Sequence, residues 1–264
     1  MTAGTVECRK VTKVWGKDTP RALLALDRLD LDVAPGEFVV MIGPSGCGKS
    51  TLLSMIAGLQ SITAGQVLLD GAPISGPGPD RCMIFQEASL YPWLTVADNV
   101  TFGLKLRGVA KAARRERASQ LLKSVGLGDM LDKRPGELSG GMRQRAAIAR
   151  ALSMEPEVLL MDEPFAALDV QTRAKLQDFL TGIWRTSGAS VVFVTHHIDE
   201  AIALADRIVV FTARPGSIKA VIPVGLERPR DPHHPAFHAL RDQLIDLLRD
   251  EVDRAFEEQE RAVR

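Results

Sequence analysis

Apolar and polar residues alternate along the first part of the chain, and this alternation predicts β-strands. The segment VECRKVTKVW, residues 6–15, follows that pattern, and GQVLLDGAPI, residues 65–74, places an Asp70-Gly71 turn between short apolar segments. FVVMIG, residues 38–43, is a continuous apolar run that is typical of a strand buried on both faces. The chain up to about residue 80 is therefore predicted to be rich in strands.

The middle of the chain carries the capping signals of helices. Thr95 with Asp98 three residues later predicts a capping box before VADNVTFGLKL, residues 96–106. A second helix is predicted over RRERASQLLKSV, residues 114–125, and Gly126 is expected to end it. We interpret the basic cluster of this region as a solvated helix face; it comprises Lys111, Arg114, Arg115 and Arg117.

Apolar strands return at EVLLMDEP, residues 157–164, and at SVVFVTHH, residues 190–197, with helical segments between and after them. This alternation of strands and helices predicts an α/β fold with a mostly parallel sheet that is covered by helices. The helical region at about 90–155 is then an insertion.

The end of the chain is rich in proline and charge at first and amphipathic afterwards. IPVGLERPRDPHHP, residues 222–235, is predicted to be a linker, and its His233 and His234, with His238, resemble metal ligands only superficially. A C-terminal helix is predicted to lie on the domain, although a partner-binding role for it stays open. Its apolar stripe consists of Phe237, Leu240, Leu244, Leu247, Leu248, Val252 and Phe256.

Composition narrows the partners that we expect. The 264 residues are enough for one large domain or one domain with an inserted lobe, and 33 basic residues balance 33 acidic ones. A neutral chain gives no electrostatic reason to expect nucleic-acid binding. Cys8, Cys47 and Cys82 are odd in number and widely spaced, which favours a reducing compartment. We expect neither a signal peptide nor a membrane span, so another chain would have to cross any membrane at which this protein works.

The strongest chemical motif is a glycine-rich loop between a buried strand and a helix. Gly43, Gly48, Lys49 and Ser50 satisfy G-x-x-x-x-G-K-[ST], a phosphate-binding loop. Its backbone amides would surround phosphate oxygens, Lys49 would add a positive charge, and Ser50 would bind Mg²⁺. The complete candidate segment is Gly43, Pro44, Ser45, Gly46, Cys47, Gly48, Lys49, Ser50 and Thr51.

Two acidic residues supply the second part of such a site. Asp162 stands at the carboxyl end of a predicted buried strand, where open α/β sheets bind ligands. Asp162 would belong to the magnesium shell, and the neighbouring Glu163 could polarise an attacking water molecule.

A further anion site is predicted within LSGGMRQRAAIARAL, residues 138–152. Ser139, Gly140 and Gly141 stand before an alanine-rich run with good helix formers. Such a helix exposes backbone amides and the positive end of its dipole, which attract a phosphate. One domain therefore carries two predicted phosphate sites.

These motifs, in this order, resemble the ATPase subunits of ABC transporters over nearly the whole chain. GPSGCGKST resembles Walker A, Gln86 in IFQE the Q-loop, LSGGMRQR the family signature and VLLMDE Walker B. Ala167-Leu168-Asp169 resembles the D-loop, and His196 the switch histidine. The resemblance implies a P-loop (RecA-like) core with an N-terminal antiparallel β-subdomain and an inserted α-helical subdomain. Residues 1–225 would form the ATP-binding domain, and residues 226–264 the linker and C-terminal helix.

The resemblance also implies roles for single residues in binding and hydrolysing ATP with Mg²⁺. Glu163, His196, Gln86 and Lys49 would act in hydrolysis, and Ser50, Gln86 and Asp162 would bind the metal. Trp15 stands where the family places an aromatic residue that stacks on adenine, usually tyrosine or phenylalanine. Nucleotide contacts are further implied for the glycine-rich loop and for Ser139, Gly140, Gly141 and Asp169.

The two phosphate sites are explained by the way in which ABC ATPases assemble. Two copies meet head to tail, and the signature of each covers the nucleotide held by Walker A of the other. Partners would thus be a second copy, a membrane permease and, indirectly, a solute-binding protein, at the cytoplasmic face of the inner (plasma) membrane.

FQEASLYPWLTVADNV and FTARPGSI resemble the nitrate/sulfonate/taurine importer group, although Tyr91 stands where leucine is usual. Pro92 and Trp93 lie where the family docks a permease helix; alternatively, Trp93 packs inside the helical lobe. An importer of an unrelated solute, and a DNA-repair or translation-associated ABC ATPase, are the alternative functions. The transported solute cannot be derived from this chain.

Overall fold

The computed structural model describes residues 3–166 and 168–263, and the chain divides into two compact units. One unit comprises Pro79–Ala189, and the other joins Ala3–Gly78 to the segment that begins at Ser190. The predicted domain bounds, 1–225 and 226–264, stay predictions, because the second unit contains residues from both.

The elements have the following bounds. The strands are β1 (Val6–Trp15), β2 (Leu23–Val33), β3 (Phe38–Ile42), β4 (Ala64–Leu69), β5 (Ala72–Pro73), β6 (Arg81–Ile84), β7 (Val158–Asp162), β8 (Ser190–Val194), β9 (Arg207–Phe211) and β10 (Ile218–Pro223). The helices are α1 (Lys49–Ile56), α2 (Val96–Val100), α3 (Phe102–Leu106), α4 (Lys111–Ser124), α5 (Gly140–Ser153), α6 (Val170–Ser187), α7 (Ile198–Leu204) and α8 (Pro235–Val263). A short 3₁₀ turn, Pro135–Glu137, precedes α5.

The unit that contains Ala3–Gly78 has an antiparallel sheet in the order β2-β1-β4-β5. The predicted turn between β4 and β5 is present, and both of its residues have a positive φ, 49° at Asp70 and 77° at Gly71. Two positive φ angles match the twist of the paired strands, as expected for a two-residue hairpin.

The same unit has a parallel arrangement around β3, which pairs with β8 on one side and β9 on the other. Every residue of β3 is buried, which confirms the strand predicted from its continuous apolar run. β10 joins the free edge of β9 in the antiparallel direction. The predicted mostly parallel sheet is therefore confirmed in this unit.

In the Pro79–Ala189 unit, β6 and β7 pair in parallel. The same unit contains the helices α2–α6. The predicted capping residue is confirmed, since the Thr95 hydroxyl accepts a hydrogen bond from Asp98 N at 3.1 Å. The helix predicted over residues 96–106 is interrupted at Thr101, whose φ of −107° is not helical. Gly126, with a φ of 68°, follows α4 as expected.

The C-terminal helix α8 packs on α7 and β9, as predicted, but with a different stripe. Phe237 and Leu244 are buried, whereas Val252 and Phe256 are 50% and 64% exposed. Glu251, which is only 3% exposed, takes the inward position instead, so the prediction was wrong for the last turns.

The predicted linker is held against the end of α7 by hydrogen bonds. Arg228 donates to the carbonyl of Leu204, and Arg230 donates to those of Ile202 and Ala205, all near the carboxyl end of α7. Among the described residues, no group of three or more histidine, cysteine, aspartate or glutamate side chains is arranged to hold a metal. No helix within residues 3–166 and 168–263 is both long and apolar enough to cross a membrane.

Candidate functional site

The glycine-rich loop runs from the end of β3 to the start of α1 and encloses a buried cation. Lys49, the first residue of α1, is only 7% exposed. Its ammonium donates to the carbonyl oxygens of Gly43 at 2.8 Å and Pro44 at 2.9 Å. The loop therefore folds back on the lysine that follows it, while Ser45, Gly46 and Ser50 are exposed to solvent.

Two glycines of this loop adopt conformations that other residues rarely reach. Gly46 has a φ of 77° and Gly48 a φ of 103°. A Cβ at Gly48 would also lie 2.6 Å from Cδ2 of Leu26, on β2. Position 48 therefore requires glycine for both its backbone angle and its packing.

Cys47 lies inside the same loop, with its thiol 3.5 Å from the Lys49 ammonium. Burial raises the pKa of the Cys47 thiol above its ordinary value, while the charge of Lys49 opposes this change. The thiol is therefore protonated at neutral pH and contributes no negative charge to the loop.

Trp15 ends β1, and its ring is partly exposed. The ammonium of Lys13 lies 4.3 Å from the centroid of that ring. The backbone of Lys13 is paired with Leu26, the residue whose side chain contacts Gly48. A short series of contacts thus links the strand of Trp15 to the glycine-rich loop.

His196 follows β8 and is exposed. Because β8 is the parallel neighbour of β3, the carboxyl ends of the two strands lie at the same edge. Thr195 N donates to Met41 O at 3.3 Å at this edge. His196 and the glycine-rich loop therefore start from adjacent strands.

In the Pro79–Ala189 unit, the parallel pairing of Ile84 with Met161 brings the ends of β6 and β7 together. Gln86 follows the first strand by two residues, and Asp162 is the last residue of the second. Glu163 has a φ of 45°, a left-handed conformation that is unusual for a residue with a side chain. This backbone turn immediately follows the carboxylate of Asp162.

The signature segment begins a 14-residue helix, α5, and is accessible at its start. Ser139 is the N-cap, with its hydroxyl accepting from Met142 N at 3.3 Å, and both Ser139 and Gly140 are exposed. The amides of the first turn and the helix dipole face a surface that an anion can reach. The exposed start of α5 is therefore open to an anion, and phosphate binding there stays a prediction.

The D-loop residues lie beside the signature. A Cβ at Gly141 would be 2.8 Å from Cδ2 of Leu168. Asp169 is the N-cap of α6 and accepts from Thr172 N at 2.9 Å, and its hydrogen bonds with Thr172 lower the pKa of this carboxyl. Ala167 lies outside the described residues.

Comparison with known proteins places the chain in a family. The protein-family profile described as "ABC transporter" matches residues 26–166. An uncharacterized ABC transporter ATP-binding protein of Methanocaldococcus jannaschii is 54% identical over 247 residues, which is 94% of this chain and 92% of that protein. This chain belongs to the ABC transporter family. It is an ABC-type ATPase.

A second relative and a solved structure are also similar to this ABC ATPase. The taurine import ATP-binding protein TauB of Sinorhizobium fredii is 48% identical over 235 residues, 86% of this chain and 88% of that protein. An ATP-binding cassette solved as a dimer in a post-hydrolysis state, bound to ADP and Pi, has a TM-score of 0.77 and 33% identity. That match covers 84% of this chain and 100% of the solved one.

Two side chains of the signature helix hold the Q-loop of this ABC ATPase, and the sequence reasoning missed both. Gln144 is buried and donates to Phe85 O at 3.1 Å, one residue before Gln86. Arg150 donates to Ser89 O at 2.9 Å. The available signal was the presence of polar residues, Gln144 and Arg150 among them, in the alanine-rich helix α5.

A surface groove of about 570 Å³ lies between the Q-loop and the start of α5, with Gln86, Pro92 and Gly140 among its lining residues. Trp93 follows Pro92 and is 68% exposed. This exposure excludes the alternative in which Trp93 packs inside the helical lobe. An exposed tryptophan beside a groove is typical of a surface that binds another protein.

Proposed function

We propose that this ABC ATPase binds and hydrolyses MgATP in a head-to-tail homodimer and thereby drives the import of a small solute. One observation carries the proposal. The chain has two candidate phosphate sites, the glycine-rich loop around Lys49 and the exposed start of α5 at Ser139. In a head-to-tail pair, the second site of one copy serves the nucleotide bound to the first site of the other.

The glycine-rich loop would bind the phosphates of ATP. Its backbone amides and the start of α1 favour negative charge, and the Lys49 ammonium would exchange its two carbonyl partners for phosphate oxygens. Trp15 would stack on adenine, which the partial exposure of its ring permits.

The metal would be held by oxygen atoms of Ser50, Gln86 and Asp162 together with the phosphates. A hydroxyl, an amide carbonyl and a carboxylate are the hard oxygen donors that Mg²⁺ prefers, so the residue types fit the ion. When bound, Mg²⁺ would neutralise charge on the phosphate oxygens.

Hydrolysis would depend on Glu163 and His196, in addition to Lys49 and Gln86, which would also bind the nucleotide and the metal. Glu163 would accept a proton from the attacking water, and its unusual backbone turn fixes where the carboxylate starts. His196 would contact the terminal phosphate from the end of β8. Ser139 and the amides that follow it would complete the site from the other copy, together with Asp169.

The permease would dock at the groove beside Pro92 and Trp93, and the ATPase would sit at the cytoplasmic face of the inner membrane. The proposed solute is a small anion or sulfonate such as taurine, an alkanesulfonate or nitrate. This class is supported by FQEASLYPWLTV and by the 48% identity to a taurine import ATP-binding protein. A solute-binding protein would deliver the solute from the other side.

A dimerisation assay tests whether the signature of one copy contacts the nucleotide that is bound to the other copy. In a Glu163→Gln variant, ATP would be bound but not consumed, so a dimer should accumulate on size-exclusion chromatography. Adding Ser139→Arg should return the protein to monomer, because a bulky cation then occupies the space meant for the terminal phosphate. A fluorescent ATP analogue should still bind this double variant.

Lys49→Ala is the matched control, since it should weaken nucleotide binding itself. A dimer that persists with Ser139→Arg would mean that the signature acts within its own chain. Importer function is tested separately, by ATP-dependent uptake of taurine into vesicles that contain the permease and its binding protein. Uptake of an unrelated solute instead would reject the proposed solute class but leave the ATPase assignment intact.

A further inference from the structure

The segment FTARPGSI, residues 211–218, has no role in the proposed chemistry, yet it forms a closed loop after β9. Thr212 N donates to Ser217 O at 3.0 Å, and Ser217 N donates to the Thr212 hydroxyl at 3.0 Å. The same hydroxyl donates to Pro215 O at 3.1 Å. These bonds give the loop a fixed shape. A displacement of one end of the loop is therefore transmitted to the other end.

One side of this loop lies directly against the glycine-rich loop. A Cβ at Gly216 would be 1.9 Å from Cys47 O, and a Cβ at Gly43 would be 2.8 Å from Cβ of Phe211. Gly216 N also donates to Ala25 O at 2.9 Å. No space remains between the two loops at these points, so the position of one determines the position of the other.

The other side is held by the C-terminal helix through a buried carboxylate. Ala213 N donates to one Glu251 oxygen at 2.8 Å, and Lys219 Nζ lies 2.9 Å from the other. Burial alone would raise the pKa of Glu251, but the hydrogen bond from Ala213 and the charges of Lys219 and Arg254 bring that pKa below its ordinary value. Both oxygens are engaged and the carboxylate is charged at neutral pH.

We infer that Glu251 is a positioning residue for nucleotide binding, which acts through the loop 212–217 on the glycine-rich loop. This inference rests on the proposed nucleotide site around Lys49. The contacts form one series: Glu251 holds Ala213, the closed loop carries Gly216, and Gly216 supports Cys47 from behind. Through these contacts α8 helps to fix the position of the glycine-rich loop.

Loss of the carboxylate should disturb the far end of this series. Without Glu251, the buried amide of Ala213 has no acceptor, and such a group costs free energy until the loop moves to satisfy it. Lys219 still has Leu247 O as an acceptor, at 2.8 Å, so β10 stays attached to α8. The disturbance therefore falls mainly on the loop 212–217.

The test measures the Kd of a fluorescent ATP analogue and the steady-state kinetics of three variants of the full chain. Glu251→Leu should raise Kd and KM by about 3- to 10-fold, in the range found for residues that touch neither ligand, and kcat at saturating ATP should change little. Glu251→Gln keeps one acceptor for Ala213 and should have a smaller effect. Asp253→Leu, an exposed carboxylate two residues further on α8, is the matched control and should match the wild type.

Hydrogen exchange locates the effect, because general destabilisation would speed exchange throughout the chain, whereas the proposed contacts affect the glycine-rich loop. The amides of residue 43 and residues 45–48 should exchange faster in Glu251→Leu than in Asp253→Leu, while those of β7 exchange equally in both, under conditions where both proteins are folded. An unchanged Kd and unchanged exchange in this loop would overturn the inference, even if Glu251→Leu lowers Tm. If Glu251→Leu does not fold, the same criteria apply to Glu251→Gln. Failure of the wild type to bind the analogue would instead reject the proposed nucleotide site.

Discussion

The buried amide of Gln144 donates a hydrogen bond to the carbonyl oxygen of Phe85, and this bond ties the signature helix to the Q-loop. Gln144 lies five residues after Ser139, and Phe85 directly precedes Gln86. This bond therefore connects the segment of Ser139 to the segment of Gln86, and both residues are proposed to contact nucleotide.

Gln144→Leu should lower kcat more than it changes the affinity for ATP. The substitution leaves the Phe85 carbonyl without this donor, and we expect a loss of about 1–3 kcal/mol in unfolding free energy as well. Steady-state kinetics and denaturant unfolding would check both. Gln120→Leu, an exposed glutamine on α4, is the matched control, and equal effects of the two substitutions would reject the connection.

Gly141→Ala should be less stable than Gly140→Ala by up to about 1 kcal/mol, because its methyl group would lie 2.8 Å from Cδ2 of Leu168 and the end of that side chain would have to shift. Gly140→Ala is the control, since a Cβ there would be 3.9 Å from the nearest atom, in Arg143. Thermal unfolding measures both. Leu168→Ala should remove part of the penalty of Gly141→Ala, whereas strictly additive effects would show that the two side chains do not interfere.

Glu163→Gln should retain ATP binding while hydrolysis falls by roughly 10²–10⁴-fold, the range for loss of a general base. The amide is similar in size to the carboxylate but cannot accept the proton of the attacking water. Analogue binding and phosphate release measure the two properties. Turnover near that of the wild type would assign the base to another residue.

Trp93→Ala should impair transport by the assembled complex and leave the isolated subunit unchanged. The side chain is 68% exposed, and removal of an exposed side chain usually changes stability by less than about 0.5 kcal/mol. Uptake into vesicles, basal ATPase and Tm are the measurements. Leu106→Ala, at an apolar side chain that is 74% exposed, is the control and should not affect uptake. A large fall in Tm for Trp93→Ala would contradict the surface role.

The stability that Glu251 contributes should be present at neutral pH and lost in acid. Its folded-state pKa is below the ordinary value of 4.5, so the folded state is stabilised above that pH and loses this contribution as the pH falls through the folded pKa. Glu251→Gln should therefore have a lower Tm than the wild type at pH 7 and a similar Tm near the acid end of the folded range. A difference that is constant with pH would indicate that the charge is not responsible.

The sequence predicted those elements that are determined by the hydrophobic pattern, capping residues and glycines of a short segment. The continuous apolar run of β3, the cap at Thr95 and the glycine after α4 each specify a structure within a few residues, and each is confirmed. The order of the nucleotide motifs likewise predicted the family. The roles of their residues stay predictions.

Contacts between distant parts of the chain could not be predicted in this way. Periodicity placed Val252 and Phe256 on the buried stripe of α8, but Glu251 is buried there because Ala213 and Lys219, more than thirty residues earlier, satisfy its charge. The proline-rich segment showed no sign that Arg228 and Arg230 would hold the carbonyls of α7. The partners of these charged residues lie far away along the chain, so no local pattern of the sequence shows them.

The close approach of Gly216 to Cys47 has a consequence for any saturation screen of this protein. Every side chain at position 216 would collide with the backbone of the glycine-rich loop, so all substitutions there should score as inactive. The scores would resemble those of Gly48 and Lys49, although Gly216 has no side chain to offer a nucleotide. Intolerance to substitution would therefore identify Gly216, which packs against the phosphate-binding loop, as strongly as the residues proposed to bind the phosphates.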